Sequence, residues 1–274
     1  MPELPEVETI RRSLEELILG QRIIAVEVLT TVIFQNPASI DATGQMITSL
    51  RRRGKYLKIH LEDCFLLVHL RMTGKLLFHE ALTEPDKHCH VRFTLEDGKG
   101  KYSYLDYQDV RKFGRIGLYK DEQEILSPGY ARLGPDGLDL ELVPEHLYAL
   151  SRSFPKRSIK ALLLDQDLIA GLGNIYVDEA LFRARIRPDR ASGRISKQRL
   201  CSLQAIIPPL LEESIGFRGT SFSDYVDGLG KKGSFSSRLA VYGRKGEHCL
   251  NCDRPLKSIK VAGRTTVFCP HCQR

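Results

Sequence analysis

KYLKIHLEDCFLLVHLRMTGKLLFHE, residues 55–80, decides the fold. Three short runs rich in Leu, Ile, Val, Phe and Tyr (KYLKIHL, CFLLVHL and KLLFHE) stand only a few residues apart. That spacing is too tight for helices and suits consecutive strands. The same texture recurs at RIIAVEVL (22–29), HVRFTLEDG (90–98) and RIGLY (115–119), with the turn signal EDGKG at 96–100. Short strands in quick succession predict an antiparallel sandwich or barrel. Ahead of them, Val7, Ile10, Leu14, Leu17 and Ile18 recur at helical spacing, Pro5 suits a helix start, Glu6 and Glu8 complement the first-turn dipole, and Gly20 is placed as a stop. One amphipathic helix therefore precedes the β-rich region.

Outward from this core the texture changes. KDEQEILSPGYARLGPDGLDLELVPE (120–145) is acidic and rich in Gly and Pro, as expected of a linker that avoids a polyanion. IKALLLDQDLIAGLGNIYVDEALFRARI (159–186) reads as two helices around a Gly-rich turn, and KQRLCSLQAIIPPLLEESI (197–215) adds helical pattern interrupted by proline. The expected class is α+β: an N-terminal domain over 1–120, a linker over 121–147, a helical domain over 148–232 and a small appendage over 233–274.

The 274 residues allow one large domain or two modest ones, and the formal net charge of +7 favours a polyanionic partner. Charge is clustered at Arg51, Arg52, Arg53 and Lys55, at Arg111, Lys112 and Arg115, and at Lys156, Arg157 and Lys160; from residue 244 onward the tail carries a net +5. No run of about 18 apolar residues occurs, and no signal-peptide pattern opens the chain, so a cytoplasmic protein without a membrane partner is expected.

Cys249, Cys252, Cys269 and Cys272 form C-x2-C-x16-C-x2-C, the spacing of a four-thiolate zinc site. Four thiolates close the coordination sphere, so one structural zinc is expected and no activated water. Between the knuckles, LKSIKVAGRTTVF (256–268) reads as a hairpin whose turn contains Ala262, Gly263 and Arg264. Cys64, Cys89 and Cys201 read as free thiols. In IAGLGNIYVDEALF (169–182), Gly171 and Gly173 permit a tight turn, Asn174 is placed as an N-cap, and the exposed N–H groups of such a helix start can hold a phosphate.

MPELPEVET opens the chain, and a small residue after the initiator Met ordinarily permits its removal, leaving Pro2 as the N-terminus. An α-amine titrates near about 7.7–8.0, against about 10.4 for lysine, so far more of it is nucleophilic at neutral pH. Proline's amine is secondary, so condensation with an aldehyde carbon gives a permanently cationic iminium that acidifies the neighbouring carbon. Glu3 is placed to act as an acid. Standing alone, Pro2 and Glu3 would read as the lead-in to a helix, and Arg264 as a solvated turn residue.

MPELPEVET, RRGKYL, HLRMTGK, DVRKFG, LGPDGL, AGLGNIYVDEALF, VYGRKGE and CLNC…GRTTVFCPHCQR, in that order over nearly the whole chain, together resemble the bacterial formamidopyrimidine-DNA glycosylase (8-oxoguanine DNA glycosylase) family. The resemblance implies an N-terminal β-sandwich with an N-terminal helix, a helix–two-turn–helix domain and a C-terminal zinc ribbon. It implies a bifunctional glycosylase and AP lyase that removes oxidised purines from double-stranded DNA and cuts the strand by β,δ-elimination, as a monomer at the nucleoid. Pro2 is then the nucleophile attacking C1′, Glu3 the acid that protonates the opening deoxyribose, Lys55 a phosphate-contacting lysine assisting elimination, and Asn174 and Arg264 phosphate grips beside the lesion. Arg264 is also commonly given a proton-donor role; charge stabilisation suits a guanidinium better. His88 and Arg111 match DNA-contacting positions, and Lys156 substitutes for a contacting lysine because Pro155 occupies that place. Extruding a nucleotide leaves a hole that costs a few kcal/mol of stacking and pairing. Met72, Arg111 and Phe113 match the residues the family inserts there, with Arg111 donating to the orphaned cytosine, which predicts preference for lesions opposite C over A.

Cys89 stands where an acidic residue is frequent in the family, and Ser223 where some members are basic. Two rival readings are an endonuclease VIII-like glycosylase for oxidised pyrimidines and a zinc-ribbon DNA-binding protein without catalysis. No redox cofactor or catalytic metal is expected.

Overall fold

A computed structural model describes every residue except Leu126, Ser127 and Ser223. The chain divides into two compact units, residues 1–131 with 217–234, and residues 132–216 with 235–274. The segment 217–234, which the sequence reading divides between the helical domain (to 232) and the appendage (from 233), thus packs with the first unit. No helix among the described residues is long and apolar enough to cross a membrane.

The first unit begins with α1 (Leu4–Ile18), whose N-cap is Glu3, and continues through nine strands: β1 (Arg22–Val28), β2 (Phe34–Gln35), β3 (Ser49–Arg53), β4 (Tyr56–His60), β5 (Phe65–His69), β6 (Gly74–His79), β7 (Cys89–Glu96), β8 (Tyr102–Asp109) and β9 (Arg115–Tyr119). They form a four-stranded sheet ordered β1-β7-β8-β6 and a five-stranded sheet ordered β2-β9-β5-β4-β3. Every pairing is antiparallel except β2 with β9. Val7, Ile10, Leu14 and Ile18 of α1 share one core with Leu57, Ile59 and Val68 of one sheet and Val91, Phe93 and Leu105 of the other. A single-turn helix, α2 (Pro128–Ala131), closes this stretch.

β3 and β8 are not evident in the sequence, for physical reasons. β3 reads SLRRR, a run of cations that becomes a strand because it pairs with β4 from Ser49↔His60 to Arg53↔Tyr56. β8 reads YSYLDYQD, and its carboxylates conceal a central strand. Asp106 is buried because Arg92 on β7 donates to both of its oxygens at 2.7 and 2.8 Å. A buried charge so paired is tolerated where an isolated one would not be.

The second unit carries α3 (His146–Ser153), α4 (Ile159–Leu163), α5 (Asn174–Arg183) and α6 (Lys197–Gly216), then the hairpin β10 (Lys257–Val261) and β11 (Arg264–Phe268). α6 runs unbroken through Pro208 and Pro209, where the sequence pattern predicts an interruption. Burial of Leu203, Ile207, Leu210 and Leu211 along it holds the helix together across a site that proline disfavours.

Candidate functional site

Pro2 is buried at the head of α1, and Met1, joined to its nitrogen, is 47% exposed. The backbone around Glu3 is held by Glu6, whose role sequence reading confined to the helix dipole. Glu6 Oε2 accepts from Glu3 N at 2.8 Å, and Glu6 Oε1 accepts from Thr220 N at 2.8 Å. Gly219 lies at φ +77°, and a Cβ there would stand 2.8 Å from Glu6 Oε1, so this turn is shaped around the carboxylate. Tyr225 adds a hydroxyl that donates to Glu6 O and Arg218 O. The Glu6→Ala variant strands two buried N–H donors at ~1–3 kcal/mol each. A loss of ~2–6 kcal/mol in unfolding free energy is expected, read from a urea transition; an unchanged midpoint would show that water replaces the clamp.

Glu8 performs the next fixation. Burial works against its charge, but the guanidiniums of Arg11, Arg12 and Arg52 prevail and hold its carboxyl below the ordinary range. Arg52 Nε reaches Glu8 Oε2 at 3.1 Å, tying α1 to the β3–β4 hairpin. That hairpin turns through Gly54 (φ +57°) and Lys55, so the candidate lysine sits at a turn anchored three residues earlier to the helix whose N-cap is Glu3. Lys55 is buried.

A residue absent from the sequence-derived set, His69, lies beside it. Burial, then the charges of Arg71 and Lys55, push the imidazole down to about 3. His69 Nδ1 accepts from Arg71 N at 3.0 Å, which leaves the ring proton on Nε2 as a donor. Its only sequence signal is its place before LRMTG.

Met72, Arg111 and Phe113 come together. Arg111 Nη1 lies 3.2 Å from Met72 Sδ, and its guanidinium stands 4.6 Å over the Phe113 ring. Met72 is 42% exposed and Phe113 51%, so neither is a core residue. Two apolar side chains flank a cation, all three exposed. Their loops are set by Asp109, fully buried, which accepts from Thr73 Oγ1 at 2.5 Å, Gly114 N at 2.7 Å and Arg111 N at 3.2 Å. Arg71 and Lys112 adopt left-handed φ of 52° and 56° in these loops, a conformation that non-glycine residues rarely take. His88 accepts from Asp109 N through its carbonyl, which places it beside the same loop. Cys89 is buried, and its thiol is pushed up to about 11 by burial, so it is inert. Ser223 lies outside the described residues.

In the second unit Asn174 is the first residue of α5 and Gly173 the N-cap, a correction to the capping role expected from sequence. Asn174 Nδ2 instead donates to Thr265 O at 3.0 Å, the residue after Arg264. The two expected phosphate grips are thereby joined through one amide. Arg264 also moves: it opens β11 opposite Val261, and the turn is Ala262 and Gly263 alone, both at positive φ. Two such residues make the tight hairpin turn that matches strand twist. Arg264 is exposed at that edge.

α5 carries two acids that fix backbone in this unit, Glu179 on residues 240–242 and Asp178 on the hairpin. Glu179 accepts from Ala240, Val241 and Tyr242 N at 2.9–3.1 Å. Asp178 accepts from Val267 N at 3.3 Å and from Lys160 Nζ at 2.6 Å, with both side chains fully buried. Burial pushes the Asp178 carboxyl up to about 7 against the pull of Lys160. The third cationic cluster of the sequence is thereby dismantled. Lys160 is interior, Arg157 pairs with Asp165 at 2.8 Å, and Lys156 is the exposed cation left in it. Lys160→Met should cost ~3–5 kcal/mol by stranding Asp178, and Lys160→Met with Asp178→Leu should recover part of that, in paired denaturation curves.

The Sγ atoms of Cys249, Cys252, Cys269 and Cys272 all lie within 4.8 Å of one another, with two separations of 3.9 and 3.5 Å. Ligands about 2.3 Å from a tetrahedral zinc stand ~3.8 Å apart, so the cluster fits one zinc ion. Cys272 N points at Cys269 Sγ at 3.3 Å, an N–H placed to favour thiolate. Val241, Leu256, Val267 and Phe182 pack around the sulfurs.

Three sequence profiles match the chain: the formamidopyrimidine-DNA glycosylase N-terminal domain over residues 1–116, the H2TH domain of the same proteins over 133–226, and a zinc finger found in FPG and IleRS over 246–274. The formamidopyrimidine-DNA glycosylase of Desulfitobacterium hafniense is 44% identical, with both chains covered in full. Two solved structures of wild-type Lactococcus lactis Fpg, one with DNA containing N7-benzyl-Fapy-dG and one with DNA containing an oxidised pyrimidine, superpose with TM-scores of 0.87 and 0.86 at 37% identity, again over both full chains.

Proposed function

Because the chain belongs to the formamidopyrimidine-DNA glycosylase family and is a DNA glycosylase of base-excision repair, we propose that it removes 8-oxoguanine and formamidopyrimidines from duplex DNA and cleaves the strand through a Schiff base on Pro2. The freed Pro2 nitrogen attacks C1′ of the extruded nucleotide, the glycosidic bond from C1′ to the base breaks, and the proton shed by the Pro2 nitrogen balances the one taken up by the departing base. Glu3 gives a proton to the ring oxygen as the sugar opens, and the nitrogen lone pair closes the C1′–N bond to an iminium. That cation acidifies C2′; loss of its proton expels the 3′-phosphate, and a second elimination expels the 5′-phosphate. Lys55, Asn174 and Arg264, with His88 and Lys156, hold phosphates through these steps. Zinc, held by the four cysteines, supplies rigidity to the hairpin that carries Arg264. The enzyme works as a monomer on nucleoid DNA in the cytoplasm.

The observation that carries this reading is the exposed cluster of Met72, Arg111 and Phe113. An aromatic wedge and a flexible thioether suit an opened base stack, and a guanidinium between them can donate to the O2 and N3 acceptors of an unpaired cytosine. Excision of 8-oxoguanine opposite C should exceed excision opposite A, and borohydride should trap the protein at Pro2. A second reading, an enzyme for oxidised pyrimidines, is favoured by the Lactococcus lactis complex with such DNA. Strong preference for thymine glycol over 8-oxoguanine opposite C would decide for it.

A further inference from the structure

Beyond this site, the second unit carries a cationic surface for which the lesion chemistry has no use. FRARIRPDRASGRISKQR, residues 182–199, holds six arginines and one lysine against a single acid, Asp189. Asp189 pairs with Arg187, Arg183 pairs with Glu213, and Lys197 with Glu145. Arg185, Arg190, Arg194 and Arg199 have no Asp or Glu partner among the described residues.

Two of these guanidiniums, those of Arg190 and Arg199, are held in place. Arg199 Nη2 donates to Arg185 O at 2.8 Å and to Arg274 O at 3.1 Å, and Arg190 Nη2 donates to Arg194 O at 3.1 Å. The carbonyls of Arg185 and Arg194 order the guanidiniums of Arg199 and Arg190 without neutralising them. Partial burial and the nearby charge of Arg190 hold Arg199 below its ordinary range, a sign that the cations crowd one another. Arg185 and Arg194 are exposed.

Arg185 also sits where glycine belongs. α5 closes with Ile186 N donating to Leu181 O and Arg185 N to Phe182 O, and Arg185 has φ +57°. That closure ordinarily places glycine at the left-handed position. The helix dipole accounts for a cation near the last turn of α5. It does not reach Arg190, Arg194 and Arg199, which lie beyond the helix.

We propose that Arg185, Arg190, Arg194 and Arg199 form a second binding surface for duplex DNA, at the opposite end of α5 from Asn174. Ten helical residues separate the two ends, a rise of ~15 Å. One protein can then hold the lesion strand at one end of α5 and an undamaged segment at the other, which permits transfer between segments without release to solvent. Such contacts are sequence-independent and follow counterion release.

The test is sedimentation of the zinc-loaded protein with excess short undamaged duplex, each long enough for one site, at low salt. The wild type should carry two duplexes. The double variant Arg185→Gly with Arg194→Gln should weaken the second by at least ~5-fold and lower its log–log salt slope by ~2, the loss of two phosphate contacts. Glycine suits the backbone at 185, so its thermal midpoint should not fall, and Arg194→Glu alone should act in the same direction. Excision on a single short lesion duplex should stay at the wild-type rate. One duplex per wild-type protein, or an undiminished second duplex on the double variant, overturns the proposal. So does a parallel loss of excision, which would place these arginines in the first site.

Discussion

Protein that retains Met1 on Pro2 should lose base excision by ~10³-fold or more while binding lesion duplex near normally. In the retained form the Pro2 nitrogen is an amide, its lone pair delocalised into the Met1 carbonyl, and it cannot attack carbon. Single-turnover excision by two preparations, sorted by N-terminal mass, measures the effect, with borohydride trapping as the second readout. Equal rates would rule out the Pro2 nitrogen. Glu3→Gln in processed protein should cost ~10²–10⁴-fold in excision because an amide cannot donate the proton, with binding again preserved. The two variants separate the nucleophile from the acid.

Removal of the metal should be as damaging by a different route. β10 and β11 are five residues each and make a lone two-stranded hairpin, which is marginal in water. A structural zinc site supplies ~10–16 kcal/mol of apparent binding free energy, and in so small an element this is folding free energy. Cys269→Ser should release zinc and unravel the hairpin, while Glu179 and Asp178 lose the N–H groups they order. The phosphate contact proposed for Arg264 goes with it, at ~1.5–3 kcal/mol, so duplex affinity should fall ~10–100-fold. Metal content by elemental analysis and Kd at fixed salt check this; a zinc-free protein with wild-type affinity would remove the hairpin from the binding surface. Far-ultraviolet ellipticity should change little, since α3 to α6 bury their own core.

Local pattern carried the reading of most elements. α1, the strands with apolar alternation and the cysteine spacing depend on residues a few positions apart, and short-range periodicity encodes them. The failures have separate physical causes. SLRRR and YSYLDYQD become strands through partners elsewhere, Pro208 and Pro209 stay helical because the surrounding face is buried, and Arg264 leaves the turn because Ala262 and Gly263 suffice to make it. Of the candidate residues, the resemblance named Met72, Arg111 and Phe113, but only folding shows them touching.

The order of the candidate chemistry along the chain was therefore legible: an N-terminal proline and acid, a Gly-rich turn ahead of a helix start and a zinc ribbon, each written in contiguous or closely spaced residues. The supports for that chemistry were not. Glu6 bonds Thr220 across 214 positions, Asp178 bonds Val267 across 89, and Lys160 and Asp178, charges that look solvated in sequence, neutralise each other in the interior. Such contacts form between groups with no local preference for each other, and only the packed chain brings them within hydrogen-bond reach in a medium dry enough to make them decisive.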